Sequence, residues 1–272
     1  MPETFNWTIR TNTLKITSEE LEERLKERGW KVERVPWFEH GFFIECDQLL
    51  SKTVEHSLGY FFMQNSSSMI PPLILDPKPD EIILDLCASP GAKTTEMAEL
   101  MNNTGVIVAN DISHVRLKAL RGNLQRCGVL NTVVVKGFAE NFYKTGLKFS
   151  KILLDVPCTA SGTMNPRILK QTKEEGVRYL SSLQKRIITS AAQCLEEGGT
   201  IVYSTCSLEK EENENVIDYA VKELGLKTEK IEVKNLPTQK PFFEGYDEAV
   251  KNAVRIPFSE RTEGFFVCKL GL

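Results

Sequence analysis

The stretch I-I-L-D-L-C-A-S-P-G-A-K-T-T, residues 82–95, decides the fold. Residues 82–86 form an apolar run of the length of a buried strand. Asp85 stands near its end, and a loop with one glycine leads into a helix expected over about residues 94–101. The same alternation continues downstream. Further strands are expected at 106–109, 132–135, 152–156, 200–204 and 264–270, with helices at 113–127, 176–195 and 210–224. Helix 113–127 would turn Val115, Leu117, Leu120 and Leu124 inward, and Gly198-Gly199 would end helix 176–195. Strands alternating with helices in this way predict a mostly parallel, doubly wound α/β sheet.

Upstream of residue 76 the pattern differs. Residues 8–13, 30–35 and 41–45 read as strands, and residues 19–28 as a helix capped by Thr17 or Ser18 and stopped at Gly29. This order suggests a small α+β domain over residues 1–75, ahead of the α/β domain at 76–272. Residues 59–70 read as a connector whose aromatic side chains pack between the two.

Composition excludes several classes. The 272-residue chain is 41% hydrophobic and 26% charged, within the range of soluble globular proteins. No apolar run approaches the ~20 residues that span a bilayer, and no signal peptide is evident. Cys46, Cys87, Cys127, Cys158, Cys194, Cys206 and Cys268 are odd in number and contain no C-x-x-C pair. They point to a reducing, cytoplasmic setting rather than to disulfides or zinc. His40, His56 and His114 show no metal-ligand spacing, so no metal is expected. The net charge of −3 conceals a basic zone, because residues 112–186 hold 14 Lys and Arg against 4 Asp and Glu. Such a zone can neutralise phosphates, or its members can lie on different solvated faces.

Three loops carry chemistry. The first, D-L-C-A-S-P-G-A-K-T (85–94), leads from a strand into a helix N-terminus but is neither G-x-G-x-x-G nor a P-loop. Twenty residues past Gly91, Asp111 ends the next strand, where a carboxylate can hold ribose hydroxyls or cap the following helix. An adenosine ligand without a pyrophosphate fits this pair of features, and S-adenosylmethionine is the natural candidate. The second loop follows K-I-L-L-D-V-P-C (151–158), which sets Asp155 and Cys158 at a strand end. Alone it reads as a cysteine nucleophile or as a buried structural thiol. The third, V-Y-S-T-C-S-L (202–208), puts Cys206 at the end of the neighbouring strand. Two thiols and a carboxylate beside a methyl donor suit methylation of carbon 5 of a pyrimidine. That carbon becomes nucleophilic once a thiolate has added to carbon 6, and the target base must be unstacked to reach the site.

The chain resembles the Sun family of RNA cytosine-5 methyltransferases along nearly its whole length. The motifs are R-T-N-T-L-K (10–15), D-L-C-A-S-P-G-A-K-T-T (85–95), V-A-N-D (108–111), L-L-D-V-P-C-T-A-S-G (153–162), Y-S-T-C-S (203–207) and E-G-F-F-V-C-K-L (263–270). The resemblance implies a Rossmann-like class I methyltransferase domain behind an RRM-like α+β domain that docks RNA. It implies S-adenosylmethionine as cofactor and a cytosine of tRNA, in preference to rRNA, as target. Cys206 corresponds to the nucleophile and Cys158 to the cysteine that resolves the adduct. Asp155 matches the acid at the cytosine edge and Lys93 a lysine near the reacting base. Cofactor contacts would come from Cys87, Ala88, Ser89, Pro90, Gly91, Ala92, Lys93, Asp111, Arg116 and Asp155. Where the family carries an acid for the adenine amine, V-V-V-K-G-F-A-E (133–140) offers Phe138, which could pack on the ring, or Glu140. The chain is expected to work as a monomer.

Two other readings compete. A DNA cytosine-5 methyltransferase also uses a P-C nucleophile, and E-N-V occurs at 214–216. Here E-N-V sits in an acidic run expected to be a solvated helix face, and no F-x-G-x-G loop is present. A non-catalytic RNA-binding relative would fit the change at Phe138, but both cysteines, Asp155 and Lys93 are in place.

Overall fold

Two sheets carry the chain, which the computed structural model describes over residues 5–272. The first is antiparallel. Strands β1 (Phe5–Thr11), β2 (Lys31–Arg34), β3 (Gly41–Cys46) and β4 (Phe61–Met63) lie in the order β2-β3-β1-β4. Helix α1 (Ser18–Glu27) covers one face, burying Leu21 and Leu25 against Ile9, Phe42, Ile44 and Phe61. Thr17 starts α1 with a full capping box: its hydroxyl accepts from Glu20 N–H, and Glu20 accepts from Thr17 N–H. A one-turn helix, α2 (Val54–Ser57), precedes β4. The order β-α-β-β-α-β in a four-stranded sheet is the split βαβ arrangement, in agreement with the RRM-like expectation.

The second sheet has β5 (Ile82–Asp85) at its centre. β6 (Val106–Asp111) and β7 (Thr132–Lys136) extend it one way, and β8 (Phe149–Asp155) and β9 (Leu195–Thr205) the other, all parallel. Beyond β9 the sheet turns antiparallel with β12 (Phe265–Gly271), which pairs with β10 (Lys227–Glu229) and β11 (Val254–Ile256). Successive residues of a strand point to opposite faces, and the core follows that rule. Leu84, Ile152, Leu154, Ile201 and Tyr203 meet helices α7 (Glu174–Cys194) and α8 (Glu214–Leu224). Ile83, Leu153 and Val202 meet α3 (Ile70–Leu75) and α4 (Ala92–Leu100) on the other side. Helix α5 (His114–Cys127) packs Leu117, Leu120 and Leu124 near Ala88 and Ala109, and a short α6 (Pro166–Gln171) follows β8. The chain leaves β5 toward β6 and later returns to its other side as β8. The strand order therefore reverses beside β5, and ligands bind at the carboxyl ends of strands at such a point.

Several expectations change. The connector at 59–70 contributes β4 to the first sheet. Its Phe61 packs in that sheet's own core and not between the two domains, while Phe62 does lie between them, against Arg10 of β1 and Arg126 in the second domain. Helix α3 precedes residue 76 but packs Ile70 and Leu75 into the core of the second sheet. Val115 lies on the solvent side of α5, 75% exposed. Gly198-Gly199 does not stop α7: the helix ends at Cys194, and the glycines lie within β9 near a register shift against β8. The acidic run is not a solvated face either. Helix α8 starts at Glu214, and Glu212, Asn213 and Glu214 are fully buried. Glu214 is paired there with Arg255, which donates from Nε and Nη2 at 2.6 Å each.

Candidate active site

The carboxyl ends of β5, β8 and β9 open onto one cavity of about 290 Å³. Its walls include Asp85, Cys87, Ala88, Ser89, Pro90, Ala92, Lys93, Asp155 and Cys206. Parallel pairing sets this convergence, because Asp85 lies opposite Leu153 and Asp155 opposite Ser204. Cys206 follows directly on the end of β9. Cys158 is not on the wall, yet its Sγ is 3.4 Å from the Sγ of Cys206.

Lys93 and Asp155 form the polar centre. Lys93 Nζ donates to Asp155 Oδ2 and to Ser68 Oγ, both at 2.7 Å, and lies 5.5 Å from the centre of the Phe265 ring. The other oxygen of Asp155 accepts from Ser204 Oγ at 2.9 Å. Burial works against the Lys93 ammonium, but the charge and hydrogen bond of Asp155 outweigh it, so the pKa of Lys93 rises. Lys93 is therefore a fixed cation at neutral pH and not a proton acceptor. The thiol of Cys158 is pushed well up by its hydrogen bond with Cys206 and by burial, and burial does the same to Cys87.

The glycine loop is built differently from what its sequence suggests. Gly91 has φ +103°, a conformation that favours glycine, and a Cβ there would meet Leu120 Cδ1 at 2.7 Å. Its demand for glycine comes first from this backbone conformation, with Leu120 of α5 close behind it, and Gly91 does not line the cavity. Asp111 and Arg116 stand behind the loop. Asp111 accepts from Ser113 N–H at 2.9 Å and pairs with Arg116 at 3.2 Å, while Arg116 Nη2 donates to Ser89 O at 2.6 Å. The capping hydroxyl of α5 is that of Ser113, which accepts from Arg116 N–H. Phe138 stands apart from the cavity after β7, 56% exposed, with Glu140 partly buried two residues on. Most of the basic zone is solvent-exposed.

Other wall residues did not stand out as site residues in the sequence. Asp85 is buried, accepts from Thr94 Oγ1 at 2.6 Å, and leaves Oδ1 without a hydrogen-bond partner among the described residues. Burial raises its pKa to about 7. Its place at a strand end was legible, but not the unpaired oxygen. Glu263 and Phe265 come from the E-G-F-F segment, and Asn65 and Ser68 from the connector. A buried carboxylate on the cavity wall, with one oxygen lacking a hydrogen-bond partner among the described residues, fits a cationic adenosine ligand. Among the described residues no cluster of His, Cys, Asp and Glu could hold a metal.

Residues 72–271 match the family described as 16S rRNA methyltransferase RsmB/F, and residues 2–66 match the N-terminal domain of 16S rRNA methyltransferase RsmF. The tRNA (cytosine(49)-C(5))-methyltransferase of Pyrococcus abyssi is 40% identical over 271 residues, covering 96% of this chain and 86% of that protein. Ribosomal RNA small subunit methyltransferase F of Shewanella amazonensis is 38% identical over 275 residues, and the match covers 96% of this chain but only 57% of that enzyme. Among solved structures, a methyltransferase homolog protein from Pyrococcus horikoshii superposes with a TM-score of 0.87 at 39% identity, covering 97% of this chain and 86% of that one. NSun6 from Pyrococcus horikoshii, solved with SFG, gives 0.87 at 26% identity, covering 98% of this chain and 90% of that one.

Proposed function

The chain belongs to the RsmB/F methyltransferase family, and from that premise we propose that it transfers a methyl group to carbon 5 of a cytosine in tRNA or rRNA. The observation that carries this reading is the pair of thiols, Cys158 and Cys206, 3.4 Å apart beside the Lys93–Asp155 ion pair. The cofactor is S-adenosylmethionine, which supplies an electrophilic methyl group when bound. Asp85, the loop Cys87–Lys93, Asp111 and Arg116 would hold it, with Phe138 at the outer edge. Cys206 Sγ bonds to carbon 6 of the base, which makes carbon 5 the nucleophile. Asp155, held by Lys93 and Ser204, meets the polar edge of the ring and steadies the adduct. Once carbon 5 carries the methyl group, its proton passes to a solvent base, the freed electron pair re-forms the 5,6 double bond and Cys206 Sγ leaves as thiolate, with Cys158 assisting that departure. The first sheet and the basic zone are the RNA-docking surfaces in this reading. Among the described residues no helix is long and apolar enough to cross a membrane. We place the protein in the cytoplasm, acting as a monomer.

Bisulfite sequencing of total RNA from cells with and without the gene tests the reaction directly. The expected result is a methylated cytosine that vanishes with the gene. If no RNA loses a methylated site, the non-catalytic relative becomes the better reading.

Asp85 gives a prediction for cofactor binding. Its ionised form attracts the positive ligand, and its pKa in the free protein is about 7. Cofactor Kd should therefore rise as pH falls below about 7, by up to tenfold per unit. Asp85→Asn should bind more weakly at neutral pH and lose this dependence. Calorimetric titration at several pH values checks both; a pH-independent wild-type Kd would exclude this role.

A further inference from the structure

The two thiols stand in different electrostatic surroundings. Glu212 lies in the turn between β9 and α8 with no exposed surface. Its Oε2 accepts from Thr159 N–H at 3.0 Å and from Thr159 Oγ1 at 3.3 Å. Thr159 Oγ1 in turn lies 3.0 Å from Ser207 Oγ. Thr159 follows Cys158 and Ser207 follows Cys206, so one carboxylate holds the residue after each cysteine. Its backbone is fixed as well, since Tyr203 Oη donates to Glu212 O at 2.6 Å. The remaining carboxylate oxygen is buried without a hydrogen-bond partner among the described residues. No Lys or Arg among them forms an ion pair with it.

We propose that Glu212 is a positioning residue that makes the two cysteines unequal, keeping the proton on Cys158 so that the thiolate forms on Cys206. This rests on the cysteine roles proposed above. Cys158 faces Cys206, Glu212 and Tyr203, and Ala160 N–H donates to it. Cys206 faces Cys158 and shares the cavity wall with Lys93, whereas Cys158 and Glu212 do not line that cavity. The carboxylate binds the amide next to Cys158 and the ammonium shares the wall with Cys206, so the two charges bias which sulfur keeps the proton. When the pair loses one proton to solvent, the negative charge settles on the lysine side. The proton left on Cys158 then points at the Cys206 thiolate across the 3.4 Å gap. The Cys158 pKa is raised first by the hydrogen bond with Cys206, by burial and by the charge of Cys206, and the charge on Glu212 adds to these in the same direction. Burial raises the pKa of Glu212 itself, while the Thr159 N–H and the Ser207 and Thr159 hydroxyls favour its ionised form.

The test needs no RNA, so it is independent of whether the protein methylates anything. Whole protein is alkylated with iodoacetamide at a series of pH values, stopped at low conversion, and the two cysteine peptides are quantified by mass spectrometry. In the wild type the labelling midpoint of Cys206 should lie below that of Cys158. Glu212→Gln keeps the acceptor for Thr159 N–H and removes the charge. It should lower the Cys158 midpoint by about one pH unit, roughly tenfold in labelling rate at a fixed pH, and narrow the gap. Glu212→Asp should restore most of the gap. A purely structural Glu212 would leave the midpoints unmoved in a folded Glu212→Gln protein, and that result overturns the proposal. If Glu212→Gln does not fold, the wild-type order decides: a Cys158 midpoint at or below that of Cys206 also overturns it.

Discussion

Cys206→Ala abolishes methyl transfer and leaves no covalent protein–RNA complex, whereas Cys158→Ala accumulates a complex that survives denaturant. The loss for Cys206→Ala is expected to be on the order of 10^4-fold or more, since a nucleophile acts as a unit with the groups around it. The asymmetry comes from position. Cys206 lines the cavity and Cys158 does not, although their sulfurs are in contact. A base in the cavity therefore meets Cys206 first, and Cys158 reaches it only past that sulfur. Neither change should unfold the protein, because each thiol is only partly buried and alanine leaves a small void. Radiolabelled methyl transfer and a denaturing gel of RNA-bound protein check both variants. A stable band with Cys206→Ala, and none with Cys158→Ala, would reverse the two roles.

The second large effect concerns stability. Arg10→Ala should cost about 3–5 kcal/mol, the usual result of deleting one partner of a buried ionic cluster. Arg10 is fully buried on β1, and most of its partners lie across the junction on α4. Its Nε and Nη2 donate to the two oxygens of Glu99 at 3.0 and 2.8 Å. Nη2 also donates to Thr95 Oγ1 at 2.8 Å, and Nη1 to Ala92 O at 2.7 Å, to Gln64, and to Glu96 at 3.4 Å. Burial raises the pKa of Glu96 to about 8 and that of Glu99 to about 7, against the pull of Arg10. Carboxyls with raised folded-state pKa values stabilise the fold fully below their unfolded pKa, near 4.5, and lose that contribution as pH rises through about 7 to 8. Without Arg10 both would be harder still to ionise. The deficit of Arg10→Ala should then be smallest near pH 5 and grow toward pH 9, which urea unfolding across that range measures. A deficit that does not change with pH would mean that the arginine acts through packing alone.

Much of the fold was legible because it rests on local pattern. Residues 83 and 84 of β5 turn to opposite layers as alternation requires, and the strand–helix series gave the parallel sheet. The convergence of Asp155 and Cys206 followed from reading β8 and β9 as neighbours. What escaped the sequence depends on partners far along the chain. Glu214 looked solvated in an acidic run, but Arg255, 41 residues on, takes it inside. Arg10 appeared only as part of a motif, and its acceptors on α4 are 82 to 89 residues away. The strand β4 is three residues long, too short to show a period. Glu212 had the same local signature as Glu209 and Glu211, which stay partly exposed, and only the fold of the turn separates them. The roles of the two cysteines came from family resemblance, since spacing alone treats them alike.

The Arg10 cluster has a consequence for how a target is chosen. Helix α4 begins at Ala92, and its first residues carry both Lys93, on the cavity wall, and the carbonyl that Arg10 grips from the first sheet. Ser66 and Ser67 add a second clasp, donating to the carbonyls of Arg261 and Glu263 beside the same cavity. Separate units usually swing, but these two are bolted together on both sides of the reaction centre. With RNA held on the first sheet, as proposed above, the gap between that surface and the cavity is a fixed length, and the protein would work as a caliper. On that proposal a cytosine would be selected by where the folded RNA presents it, and a substrate of the wrong span would fail before any chemistry begins.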